Sequence, residues 1–202
     1  MDQGKREGIL ASAAKLFANC GFRKASIDEI ARGAGVAKGT VYLACESKED
    51  LYYQTLLREA RAWVADTLRI IDPREPADEL LLRVSAYGFE RIDNSPLWRD
   101  LLTGKVHELL PNWAERFGEL RKLGCQPVME ILRIGISQGR FRADLDVEAL
   151  APVLQDMQLS GYLYLANKPN PDDVLRRQAA GLELVLRGIL AGPVTRPLLK
   201  SL

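Results

Sequence analysis

Apolar positions along this chain recur with a helical period almost from end to end. Ile9, Leu10, Ala13, Leu16 and Phe17 fall at i, i+1, i+4, i+7 and i+8, one face of an amphipathic helix. No run of period-two alternation stands out, so the pattern predicts an all-α protein. The first helix should end near Cys20, with Gly21 supplying a left-handed cap and Phe22 turning the chain back onto the core. Ser26-Ile27-Asp28-Glu29 is a capping box that opens a short helix to about Arg32. Gly33-Ala34-Gly35-Val36 punctuates it, and Ala37 to about Leu43 leaves room for only two turns. Ser47, with Asp50 three residues on, caps a long helix reaching towards Ile71, where Asp72-Pro73 stops it. Further helices are predicted from about Ala77 to Ile92, Pro96 to Leu102, Trp113 to Gln138, Val147 to Asn167 and Asp173 to Leu190. Pro127 and Pro152 fall inside two of these spans and leave open a kink or a later start.

Composition narrows the class without naming a function. A chain of 202 residues with 47% hydrophobic and 27% charged side chains can bury a sizeable core, and extensive disorder is excluded. The formal net charge of +1 hides an asymmetry: residues 1–48 hold eight basic against five acidic side chains, and the remainder holds 20 against 22. A modestly positive amino-terminal end suits a polyanionic partner. Cys20, Cys45 and Cys125 are odd in number and far apart, and His107 is the only histidine, so neither a disulfide framework nor a metal site is expected. Lys15 interrupts the apolar part of the first twenty residues, which argues against a secretory signal. No stretch approaches 18 uncharged apolar residues, so the expected setting is the cytoplasm and not a membrane. With no G-x-S-x-G, no H-E-x-x-H and no partner for the lone histidine, an enzyme is not expected, nor is a cofactor.

The densest chemistry lies in Gly35 to Leu51, GVAKGTVYLACESKEDL. Its Lys38-Gly39-Thr40 is no phosphate loop, because that loop needs the lysine after the last glycine and a strand before it. Two short helices joined by a glycine-containing turn and braced by a longer one predict instead a helix-turn-helix. A helix that enters the major groove must be small-sided where it meets the bases, and Ala37, Lys38, Gly39 and Thr40 meet that demand. Lysine can donate to guanine or to phosphate, threonine has a hydroxyl and a methyl, and glycine lets the backbone approach.

Residues 9–51 carry an A-A-x-L-F helix, G-F, S-I-x-x-I-A, A-G-V-x-K-G-T-V-Y and S-K-E-x-L in this order, and in this they resemble the DNA-binding module of the tetracycline-repressor (TetR) family of transcriptional regulators. The resemblance implies a helix-turn-helix domain over residues 1–48 and a helical ligand-binding and dimerisation domain over 49–202. It implies a ligand-responsive regulator, a repressor in the first instance, that binds palindromic double-stranded operator DNA as a homodimer and is released by a small-molecule effector. Carried onto this sequence, Lys38 and Gly39 would lie against bases, with Ala37 beside them, while Ser26, Thr40, Tyr42 and Lys48 would hold phosphates. Three positions depart from the pattern. Ala37 replaces a capping serine, and Ala44 and Cys45 stand where an aromatic or histidine and then a phenylalanine are common. These changes keep an alternative open, a helical protein-interaction module on the same scaffold with lost or weakened DNA binding.

Beyond residue 49 the residues say less. Trp63, Tyr87, Phe89, Trp98, His107, Trp113, Phe117 and Met129 gather aromatic surface and one ionisable ring, and are candidates for an effector pocket. Leu154, Met157, Gly161 and Tyr162 on one helix, and Leu175, Ala179, Leu182 and Leu186 on the next, are candidates for a dimer interface. Helical spacing alone does not separate that role from packing within the monomer.

Overall fold

The computed structural model describes residues 2–104, 110–166 and 170–192. Among them the chain forms nine α-helices and no β-strand: α1 Gln3–Lys24, α2 Ile27–Gly33, α3 Lys38–Tyr42, α4 Lys48–Arg69, α5 Ala77–Asp93, α6 Pro96–Leu102, α7 Trp113–Ser137, α8 Val147–Ala166 and α9 Pro171–Ile189. The periodicity located each of these to within a few residues. One difference is at Gly21. It breaks the first helix as expected, but at φ 76° and ψ 168°, a positive-φ extended conformation instead of the left-handed helical one, and a further turn follows to Lys24. The other is at the prolines, where α7 and α8 begin on schedule and continue through Pro127 and Pro152.

The chain divides into two compact units, residues 1–63 with 92–120 and residues 64–91 with 121–202. In the first, α1 packs on α2 and α6, and α2 packs on α3. Its core holds Ile9, Ala13, Phe17, Ile30, Val41, Leu51, Leu56 and Leu101. Phe17 and Phe22 meet the Tyr52 ring edge-on at 4.9 and 5.4 Å between centroids. The buried Tyr52 hydroxyl donates to the Leu97 carbonyl, 3.4 Å away, and Thr55 donates to the Leu51 carbonyl at 2.7 Å, so neither polar group is buried without a partner.

The second unit is centred on Leu80, Leu81, Val84, Val128, Ile131, Leu132, Phe141, Ala151, Leu154, Leu186 and Ile189. Phe141 sits directly over Gly135, where a Cβ would lie 2.1 Å from the ring, so the glycine is what lets the chain fold back after α7. The Gln138 amide ties that turn to the α4–α5 connection: its Nε2 donates to the Pro73 and Glu75 carbonyls at 2.9 and 2.8 Å, and its Oε1 accepts from the Ala77 amide at 3.1 Å. Arg140 pairs with Asp78 at 2.6 Å.

Candidate nucleic-acid interface

Local chemistry sets each end of the helix pair formed by α2 and α3. Ser26 accepts from the Glu29 amide at 3.2 Å, and the Glu29 carboxylate accepts from the Ser26 amide and hydroxyl at 3.3 and 2.7 Å, a complete capping box. At the other end Gly35 takes φ 67°, its amide donates to the Arg32 carbonyl and the Val36 amide to the Ala31 carbonyl, at 3.1 and 3.0 Å. That pair of bonds is a Schellman closure, and it aims the chain into α3.

α3 itself is held by little. Only Val41 of its five residues is buried, at 0% exposure, while Lys38, Gly39 and Tyr42 face solvent and Leu43 just beyond is 76% exposed. Ala37 has the extended backbone of an N-cap, φ −71° and ψ 149°, but makes no side-chain cap bond. Gly39 has no positive φ, and a Cβ there would meet nothing within 4 Å, so the fold itself does not ask for glycine at this position. Cys45 is buried, and its thiol donates to the Val41 carbonyl at 3.3 Å. Burial pushes that thiol up to about 11, which makes it a small inert filler and not a reactive sensor. The loop that follows is fastened by Asp50, whose carboxylate accepts from the Glu46 amide at 3.2 Å while its own amide donates to Ser47 at 3.1 Å. Arg116 stands 3.4 Å from the same carboxylate.

The candidate contact residues are not all idle. The Ser26 hydroxyl is engaged by Glu29. Lys48 donates to the Arg23 carbonyl at 3.3 Å and lies 4.6 Å from the centre of the Phe22 ring, so its ammonium is held at the end of α1. Lys38 donates to Asp28 of α2 at 2.8 Å. Asp28 and Leu43 are not among the contact residues that the resemblance implies. The signal for Leu43 was an apolar side chain at the end of a two-turn helix, and none marked Asp28 apart from its place in the capping box.

A sequence model of the family described as "Bacterial regulatory proteins, tetR family" matches residues 9–54. The chain is 31% identical over 163 residues to the HTH-type transcriptional repressor KstR2 of Rhodococcus jostii, with 76% of each chain covered. The chain belongs to the TetR family of bacterial regulatory proteins. Its match to the KstR2 repressor of Mycobacterium tuberculosis is 29% over 158 residues, covering 75% of this chain and 76% of the relative. Among solved structures, the regulator FadR from Bacillus subtilis in complex with stearoyl-CoA superposes with a TM-score of 0.69 at 22% identity, over 91% of this chain and 98% of that one. A TetR-family regulator from Pectobacterium atrosepticum gives 0.73 at 20% identity, over 93% and 95%. At these identities the likeness is one of fold.

The remaining candidates of this TetR-family chain divide between the two units. In the first, Trp63 meets Trp98 edge-on at 5.5 Å, and Trp113 stacks with Phe117 at 5.0 Å. In the second, Phe89 meets Tyr162 at 4.6 Å, Tyr87 accepts from Arg91 at 3.0 Å, and Met129 packs on the core. His107 lies outside the described residues. A cavity of about 190 Å³ opens among α5, α8 and α9, with Leu81, Leu154, Met157 and Leu182 as apolar wall and Ser85 and Arg177 among its polar groups. None of the seven described pocket candidates lines it, whereas Leu154, Met157, Gly161 and Leu182 do.

Of the dimer candidates, Leu154, Tyr162 and Leu186 are buried in their own unit, Gly161, Ala179 and Leu182 are half-buried, Met157 is exposed, and the side chain of Leu175 lies outside the described residues. Val153, Leu163 and Leu184 are also exposed, so among the described residues four large apolar side chains on α8 and α9 face solvent in the single chain. Among the described residues no helix is long and apolar enough to cross a membrane.

Proposed function

We propose that this TetR-family regulator is a repressor that binds palindromic operator DNA as a homodimer and releases it when a small-molecule effector binds. The observation that carries the DNA half is α3: a helix with one buried anchor, an exposed lysine, and a glycine whose missing side chain serves no contact inside the fold. Glycine in a helix costs about 0.5–1 kcal/mol relative to alanine, a cost that close approach to a groove floor offsets. Lys38 and Gly39 would face bases beside Ala37, and Thr40, Tyr42 and Lys48 would hold phosphates. Ser26 would join them through its cap amides, since Glu29 engages its hydroxyl. Repression follows the named role of the KstR2 relatives.

For dimerisation we assign the solvent-facing apolar residues of α8 and α9, Val153, Met157, Leu163 and Leu184, with Gly161 allowing close helix approach. Four exposed large apolar side chains on neighbouring helices are what a four-helix interface would cover. The effector class we favour is an acyl-CoA thioester, as the fold neighbour FadR is seen with stearoyl-CoA. The protein would work in the cytoplasm, with residues 1–48 on DNA and 49–202 answering the effector.

The test is to incubate purified protein with fragmented genomic DNA from its source at moderate salt and sequence what it retains. The expected result is a palindrome with half-sites about one helical turn apart, bound at least tenfold more weakly after Lys38→Ala and released by long-chain acyl-CoA. A folded dimer that retains nothing would refute DNA binding and favour a protein-interaction module. Retention that no acyl-CoA relieves would refute the effector class alone.

A further inference from the structure

The lysine assigned to the bases already has a partner. Lys38 Nζ and Asp28 Oδ2 are 2.8 Å apart, and the two side chains keep 54% and 59% of their surface exposed. Asp28 stands in the first turn of α2, where the helix dipole favours a carboxylate. The hydrogen bond to Asp28, then its charge, raise the Lys38 ammonium above its ordinary value. The pair therefore bridges α2 and α3 across the face that the DNA-binding reading turns towards the duplex.

Beside a lysine that reads guanine or phosphate, a carboxylate is a poor fit. Ionised, it only accepts hydrogen bonds, and the major-groove edge of guanine, which a lysine reads, and the phosphates only accept as well; cytosine N4 and adenine N6 are the donors that it could meet there. A lysine that donates to guanine while keeping its carboxylate would carry a negative charge into a negatively charged groove. The lysine stem is long and exposed, so it can swing away from Asp28 without disturbing the core.

We propose that Asp28 is a built-in competitor for Lys38: it holds the lysine in the free protein, must be displaced when the lysine enters the major groove, and so sets how tightly the protein holds its operator. This rests on the DNA-binding reading above. Exposed ion pairs contribute little, so removing the competitor tightens binding by about two- to fivefold per subunit. In a homodimer that engages two half-sites the factors multiply, to about four- to 25-fold.

The experiment is a double-mutant cycle on the genomic fragment that the wild-type homodimer retains most strongly. Dissociation constants are measured for wild type, D28N, K38A and D28N/K38A, at a salt concentration low enough for K38A still to bind. D28N should tighten binding by the factor above, and the gain should fall below twofold in the K38A background. Binding by D28N equal to or weaker than wild type overturns the proposal. An equal gain in both backgrounds also overturns it, because the carboxylate would then act by repelling phosphates and not through Lys38. Titration of the Lys38 side chain by NMR in the DNA-free protein gives an independent arm: its pKa should fall in D28N, and an unchanged value means there is no pair to displace. Wild-type protein that holds no fragment refutes the DNA-binding reading and this proposal with it, whereas a binding wild type with an unimproved D28N refutes the proposal alone.

Discussion

Replacing Ala37 by serine should stabilise α3. The backbone at Ala37 already has the extended conformation of a capping residue, and the side chain is exposed, so a hydroxyl can be added without steric cost. It would accept from the amide of Gly39 or Thr40, in the first turn that no side chain now caps. Such a cap contributes about 0.5–2 kcal/mol. Because α3 has five residues and one buried anchor, the gain should appear locally before it appears in global stability. The assay is hydrogen exchange at the amides of Leu43 and Ala44, which donate to the Gly39 and Val41 carbonyls at 3.2 and 2.8 Å and keep these bonds only while α3 is formed. Their exchange should slow by about two- to 30-fold in Ala37→Ser. Unchanged or faster exchange would refute the reasoning: it would mean that the amide-to-carbonyl bond from Thr40 to Ala37, 2.9 Å long, already closes the turn.

Gly135→Ala should lower stability by about 1–3 kcal/mol, since its Cβ would fall 2.1 Å from a buried Phe141 ring; an unchanged thermal midpoint would show that the ring can step aside. Lys48→Met should weaken DNA binding without changing which sequence is preferred, and should reduce the slope of log affinity against log salt by about one per subunit, about two for the homodimer; an altered sequence preference would contradict its placement on phosphate. The Cys45 thiol is pushed by burial from 9.0 to about 11, so the folded state holds that proton more tightly than the unfolded one. Its contribution to stability is full below about pH 9 and is lost as pH rises through about 11, and at pH 8 iodoacetamide should leave Cys45 unlabelled until the protein unfolds. Rapid labelling of Cys45 in the folded protein would contradict this.

The helix-turn-helix was legible because its determinants are local. Ser26 with Glu29 and Ser47 with Asp50 each act within three residues, so spacing alone implies those bonds, and the closure at Gly35 and Val36, marked in the sequence only as a break, reaches back no more than five. The Lys38–Asp28 pair spans ten residues and two elements, and the approach of two exposed side chains across a turn leaves no periodic trace. The effector candidates show a different limit. They are mostly aromatic, and aromatic side chains fill space: Trp63 against Trp98 and Phe89 against Tyr162 pack ring on ring. A cavity of the second unit lies where α5, α8 and α9 place small residues, Ser85, Ser160, Gly161 and Gly181, and space left by small side chains depends on how helices meet in three dimensions.

Its departures from the family pattern share one physical consequence. Ala37 leaves the start of α3 without a side-chain cap, and Cys45 puts a small thiol where a phenylalanine would fill more of the space behind it. Isolated helices of this length are not stable in water, so the order of α3 is imposed by Val41, by the Schellman turn before it and by the Asp50 clasp after it. Each weak point lowers the cost of opening α3 while leaving the exposed face, Lys38, Gly39 and Tyr42, in place. The larger the fraction of free protein in which α3 is open, the more of the free energy of ordering it falls on DNA binding. In such a protein a modest stabilisation of five residues, as in Ala37→Ser, should tighten operator binding by up to the factor seen in exchange for each subunit.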